Sequence, residues 1–204
     1  MWRPRAPAWS RPKPPAEFIQ PAQAVLYPVA PTGPEWIHEI KADGYRLVAR
    51  KDGDSVRLWT RQAIDYTAHF PGIASAVGSL PVRSCMIDGE AVCFGDACHD
   101  FHALRARAGG GAATLYAFDL LMLDGDDLRA MTLEKRRASL ERLLRNAPDG
   151  LMFSAAIQGD GPAVFEQACR MGLEGIVSKR LGSRYRSGKC EDWRKIKNKD
   201  YTRA

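Results

Sequence analysis

At 204 residues the chain fits one large domain or two small ones. Hydrophobic residues make up 45 % and charged residues 26 %, which excludes a disordered or fibrous chain and leaves enough apolar material for a real core. The formal net charge of +6 favours a polyanionic partner such as nucleic acid.

The five cysteines are odd in number and show no paired C-x-x-C spacing, so a reduced, cytoplasmic setting is expected. No apolar run is long enough to span a membrane, and the N-terminus has no hydrophobic stretch of a secretory signal. Residues 1–17 hold Trp2, Trp9, five prolines and a cluster of Arg and Lys, a composition that cannot pack a core. They are expected to form a basic leader, with one folded domain over 18–204.

Residues Glu35 to Ile40 read as a strand. Tyr45–Arg50 and Ser55–Trp59 read as a second and third, joined by a hairpin at Lys51-Asp52-Gly53-Asp54. Lys41 falls in the connection before that hairpin, where a side chain can enter a cleft. Asp65–Val77 is expected to be helical. Met86–Phe94 reads as a strand on which Asp88 and Glu90 share a face by period-2 alternation. Cys93, Cys98, His99 and His102 lack a zinc spacing and are not taken as a metal site. Phe101 and Leu104 are expected in the core of a helix, and Gly109–Gly111 in a loop.

Thr114–Leu123 is a strongly apolar strand. Asp119 within it needs a partner, because a buried carboxylate is costly alone. On spacing alone Phe118 reads as core. Thr132–Asn146 has amphipathic helical spacing, with Thr132 as N-cap. Gly161–Met171 reads as another helix, with Pro162 in its first turn and Gly172 at its end. Glu174–Arg180 and Trp193–Lys197 read as strands, the latter placing Lys195 and Lys197 on one face.

The stretch Glu39-Ile40-Lys41-Ala42-Asp43-Gly44-Tyr45-Arg46 carries the chemistry. A free lysine has a pKa of about 10.4 and is not a nucleophile at neutral pH. Burial or neighbouring positive charge can release its proton, and further cations are needed to neutralise phosphates it attacks. Lys195 and Lys197 are candidates for that task.

The order of motifs resembles that of the covalent nucleotidyltransferases: Lys41-Ala42-Asp43-Gly44-Tyr45-Arg46, Arg61, Asp88-Gly89-Glu90, Phe118-Asp119, Glu174-Gly175-Ile176-Val177 and Lys195-Ile196-Lys197. Within that superfamily the wording is most similar to ATP-dependent DNA ligases, in particular the ligase domain of bacterial ligase D. The resemblance covers Phe18 to about Asn198.

It implies an α+β, ATP-grasp-like nucleotidyltransferase domain, with antiparallel sheets flanked by helices and a nucleotide cleft between them. Lys41 would take AMP from ATP as a phosphoramidate, with catalytic help from Lys195 and Lys197 at the α-phosphate. Glu39, Ile40, Arg46, Arg61, Glu90 and Phe118 would bind the nucleotide: Glu39 and the backbone beside it at the adenine edge, Phe118 stacked on the ring, Glu90 on the ribose. Arg46 and Arg61 would meet ribose, phosphate or the nick. Asp43 would support the centre. Glu174 would hold Mg²⁺ or Mn²⁺.

The implied partner is nicked duplex DNA, in end joining with a Ku-type protein. Family ligases continue into an oligonucleotide-binding (OB) barrel. Here seven residues follow Lys197, so the expectation is an adenylation domain without that barrel, whether a piece of a longer chain, a natural barrel-free protein or half of a split enzyme with an OB-domain partner. RNA ligase, capping guanylyltransferase and a non-catalytic nucleotide-binding remnant are the rival readings.

Overall fold

The structure, a computed structural model, describes residues 18–95, 98–99 and 113–202. Its early strands are β1 (Ala22–Leu26), β2 (Trp36–Ile40), β3 (Tyr45–Asp52), β4 (Ser55–Thr60) and β5 (Ser84–Val92). The short strands β6 (Phe94–Gly95) and β7 (Cys98–His99) pair with each other. Then come β8 (Thr114–Leu123), β9 (Asp126–Asp127), β10 (Leu151–Phe153), β11 (Gly175–Arg180) and β12 (Gly188–Lys197). The helices are α1 (Pro71–Gly78), α2 (Leu133–Leu144) and α3 (Gly161–Arg170).

Two sheets carry the architecture. The first has the order β1-β12-β11-β2, and the second β10-β8-β5-β3-β4, with β9 on β8. Most pairs are antiparallel, as expected, but each sheet ends in one parallel pair, β1 with β12 and β10 with β8.

Alternation along the strands decides what each face meets. In the second sheet Leu47, Ala49, Ile87 and Leu115 pack against Ile73 and Val77 of α1 and Leu140 of α2. Each of the fully buried Leu, Ile and Val side chains contributes about 1.5–3 kcal/mol. The other face, with Val48, Met86 and Phe118, meets Ala22 and Trp193 of the first sheet. On the outer face of the first sheet, Ile176 and Ile196 pack with Ala168 of α3. The layers are therefore helix, sheet, cleft, sheet, helices.

The expected β3–β4 hairpin forms, with Gly53 at φ +56°, a conformation glycine enters without strain. The single helix expected over Asp65–Val77 does not form. A 3₁₀ turn at Thr67–His69 precedes α1, which starts at Pro71. Proline has no N–H for an interior helical bond but suits a first turn. Asp65 instead accepts the Thr67 N–H at 2.8 Å, an Asx turn that holds the chain out of the helix. Thr132 occupies the N-cap position of α2 without a side-chain cap bond. Asp160 caps α3 through the Ala163 N–H at 3.3 Å.

Strands β1 and β10 and the 188–192 portion of β12 were not expected from the sequence. The basic leader, the Phe101–Leu104 helix and the Gly109–Gly111 loop lie outside the described residues, as do the side chains of Cys98 and His99.

Candidate active site

The position of Lys41 is set by backbone. Its N–H donates to the Gly175 carbonyl at 2.9 Å, where β11 pairs with β2. Gly175 stands at φ +138°, and a Cβ there would lie 2.0 Å from the Ile196 carbonyl oxygen. Only glycine allows that approach. The Lys41 ammonium then meets Glu174 Oε2 at 2.5 Å, and Lys197 Nζ meets Glu174 Oε1 at 2.9 Å. One carboxylate is thus held between two ammonium groups.

The cleft beside them has a volume of about 250 Å³. Among the described residues, Lys41, Arg46, Arg61, Lys179 and Lys195 line it against two carboxylates, Glu39 and Glu90. Phe118, Trp193, Tyr116, Ile40 and Val177 supply apolar and aromatic wall. A surplus of cations beside aromatic faces suits a ligand that is anionic at one end and flat at the other.

A bulge aims Phe118. Gly89 pairs with Ala117 and Asp88 with Asp119, so Phe118 is the extra residue between two register positions. Such bulges turn a side chain away from the regular pleat. Phe118 is 9 % exposed, edge-on to Trp193 at 6.0 Å between centroids. The Lys179 ammonium stands 4.3 Å from the Phe118 centroid and 4.1 Å from that of Trp193, and the Arg46 guanidinium 4.4 Å from Phe118.

Buried charge pairs support this wall. Glu39, 3 % exposed, accepts from Arg137 and from Lys179 at 2.8 Å. Burial pushes the Lys179 pKa down to about 8, against the pull of Glu39. Asp88 clamps Arg46 through two bonds of 2.6 and 2.7 Å. The Lys195 pKa is lowered by burial and then by Lys197, Lys41 and Arg61.

A family model described as an ATP dependent DNA ligase domain matches residues 20–197. The chain belongs to the ATP-dependent DNA ligase family. It is 42 % identical over 186 residues to the multifunctional non-homologous end joining protein LigD of Pseudomonas aeruginosa, covering 89 % of the chain and 22 % of that protein. Against LigD of Mycobacterium tuberculosis the identity is 36 % over 166 residues, covering 80 % and 22 %. Solved structures are similar as well, among them two of ligase D. A mycobacterial DNA ligase D complexed with ATP and MES superposes with a TM-score of 0.79 at 32 % identity, and the M. tuberculosis LigD ligase domain with 0.78 at 33 %. Each alignment covers 88 % of this chain and 60 % of the solved one. The chain thus spans about a fifth of the full LigD relatives and three fifths of the solved ligase chains. The family is that of DNA ligases, and not the RNA ligase or capping-enzyme alternative.

The ligase fold brings all ten expected site residues to one place. Glu39, Ile40, Lys41, Arg46, Arg61, Glu90, Phe118 and Lys195 line the cleft, and Glu174 and Lys197 join Lys41. Asp43 is buried, and the Tyr201 hydroxyl donates to its Oδ2 at 3.2 Å. The sequence reading missed Lys179, Trp193, Tyr185 and Arg137, and it placed Asp88 on the Glu90 face without giving it a role. Lys179 was within reach, since alternation from Val177 puts it on the cleft face.

Among the described residues no group of three His, Cys, Asp or Glu side chains could hold a metal ion. A hard divalent ion can bind through one or two carboxylates plus substrate phosphates, and Glu174, whose oxygens are here held by Lys41 and Lys197, would have to exchange one of these partners to serve as such a ligand.

Glu90 gives a prediction in pH. Burial raises its carboxyl from 4.5 to about 7, against Arg46 and Lys41. Between these values the native state keeps a proton that the unfolded chain has lost. This contribution to stability is fully present below pH 4.5 and is lost as the pH rises through about 7. Melting curves should therefore show Glu90→Gln gaining on the wild type as the pH is raised from 5 to 7. A constant difference across that range contradicts the assignment.

Proposed function

We propose that the chain acts as a ligase adenylation domain that carries AMP on Lys41 and passes it to the 5′-phosphate of nicked duplex DNA. The observation that carries this reading is the Lys41 ammonium held by Glu174 at the edge of a cation-rich, aromatic-walled cleft. In the first step the Lys41 nitrogen forms a bond to the α-phosphorus of ATP. The bond from that phosphorus to the bridging oxygen breaks, and pyrophosphate leaves. Glu174 Oε2 is the nearest acceptor for the ammonium proton.

Lys195, Lys197 and Arg61 offset the charge that builds on the phosphate oxygens. Glu90 and Arg46 would contact the ribose, and Phe118 would offer the base a ring. Glu174, with nucleotide oxygens, would hold Mg²⁺ or Mn²⁺, which supplies further charge neutralisation. In the second step a 5′-phosphate oxygen displaces Lys41 from AMP. In the third, the 3′-hydroxyl attacks the 5′-phosphorus and AMP leaves. The LigD relatives carry end joining in their names, which supports DNA ends as the substrate; a Ku-type end-binding protein and an OB domain are further proposed partners, in the bacterial cytosol.

The test is incubation with α-labelled ATP and Mg²⁺, with labelled GTP in parallel. ATP should leave an acid-labile covalent label and GTP none. No label from ATP, with ATP still bound, would establish a non-catalytic binding remnant instead.

A further inference from the structure

The Tyr185 hydroxyl closes a ring of hydrogen bonds that none of these steps uses. Tyr185 lies in the connection between β11 and β12. It donates to Asp88 Oδ2 on β5, in the opposite sheet, at 2.6 Å, and accepts from the Ala22 N–H at the start of β1 at 2.8 Å. Arg46 completes the ring. Its Nε and Nη2 clamp Asp88, and Nη2 also donates to the Ala22 carbonyl at 3.1 Å.

We propose that Tyr185 is a positioning residue for nucleotide binding, whose hydroxyl fixes Arg46 through Asp88 and ties the β1 wall of the cleft to the opposite sheet. The proposal rests on the reading of the cleft as the ATP site. Its physical basis is the saturation of each group. Arg46 engages both Asp88 oxygens, and among the described residues the Tyr185 hydroxyl adds the one side-chain bond that reaches Asp88 from outside this pair, so in this fully buried position it fixes the carboxylate and with it the guanidinium it holds. Burial, with Asp88 beside it, raises the phenol well above its ordinary pKa, so the proton stays on Tyr185 and the phenol remains the donor.

The wall is involved as well. Ala22, Gln23 and Ala24 line the cleft, and among the described strands β1 pairs with β12 alone. The bond from Ala22 to Tyr185 therefore couples the wall to Arg46. The tyrosine ring packs edge-on to Trp193 at 5.8 Å, so Tyr185→Phe keeps the packing and removes only the hydroxyl.

The test is a double-mutant cycle of Tyr185→Phe and Arg46→Lys, read as the Kd for ATP by calorimetry, with melting temperature and near-UV circular dichroism as checks on folding. Tyr185→Phe should raise Kd about tenfold. The double variant should bind no more weakly than Arg46→Lys alone, because both changes break one unit. Asp88→Asn should reproduce the Tyr185→Phe shift and serves as second variant if Tyr185→Phe misfolds. Losses that multiply in the double variant, or an unchanged Kd in Tyr185→Phe, overturn the proposal. A wild type that binds ATP with an intact cycle yet takes no covalent label overturns only the proposed function. A wild type that does not bind ATP overturns both.

Discussion

Lys41→Ala should take no label from α-labelled ATP, a loss on the order of 10³-fold or more, as when an enzyme loses its nucleophile. Lys41→Arg should fail equally, because a guanidinium does not give up its proton. Neither change should unfold the domain. The Lys41–Glu174 pair is partly exposed, and Glu174 keeps Lys197 at 2.9 Å, so about 0–1 kcal/mol is at stake. The competing nucleophile is Lys179, which lines the same cleft and has its pKa lowered to about 8. Its ammonium is fully buried between Phe118 and Trp193 and bonded to Glu39, which holds it away from an incoming phosphorus. Peptide mapping separates the two. Label that persists in Lys41→Ala and maps to Lys179 would overturn the assignment of Lys41.

What the sequence made legible was local. The Asp-Gly hairpin, the apolar strand β8 and the helices α2 and α3 follow from turn chemistry and periodicity, which act within a few residues. The Lys41 motif was legible for the same reason. The supports of the site were not, because they join residues far apart in the chain. Asp119 declared its need for a partner, but nothing in the spacing named Arg136. Glu39 was expected at the adenine edge, and its two cations, Arg137 and Lys179, come from α2 and β11. Strand β1 has a short, uncharged sequence and depends for its pairing on β12, at the other end of the chain. Phe118 read as core by spacing and as a base platform by resemblance. The bulge at Asp88–Gly89 leaves it packed on Trp193 and still lining the cleft, which is compatible with either reading.

Asp119→Ala should destabilise the domain by about 3–5 kcal/mol. That is a large share of the roughly 5–15 kcal/mol that holds a typical domain folded. Both side chains of the Asp119–Arg136 pair are wholly buried and meet through bonds of 2.8 and 2.9 Å. Truncating Asp119 leaves the guanidinium in the interior with carbonyl oxygens of Met131 and Ser183 and no counter-charge. The pair itself need not be stabilising, because desolvating two ions can cancel their attraction. Asp119→Leu combined with Arg136→Met should therefore recover much of the loss, in urea unfolding with an unchanged m-value. Binding should not recover with it. Arg136 holds the Ser183 carbonyl two residues before Tyr185, so the double variant frees the connection that carries the Tyr185 hydroxyl. Its Kd for ATP should stay raised although the domain is stable again. If Asp119→Ala loses less than about 1 kcal/mol, water reaches Arg136 and the charge is not buried as the structure has it. If the apolar pair restores both stability and affinity, Arg136 fills space, and the connection between β11 and β12 is held by other contacts.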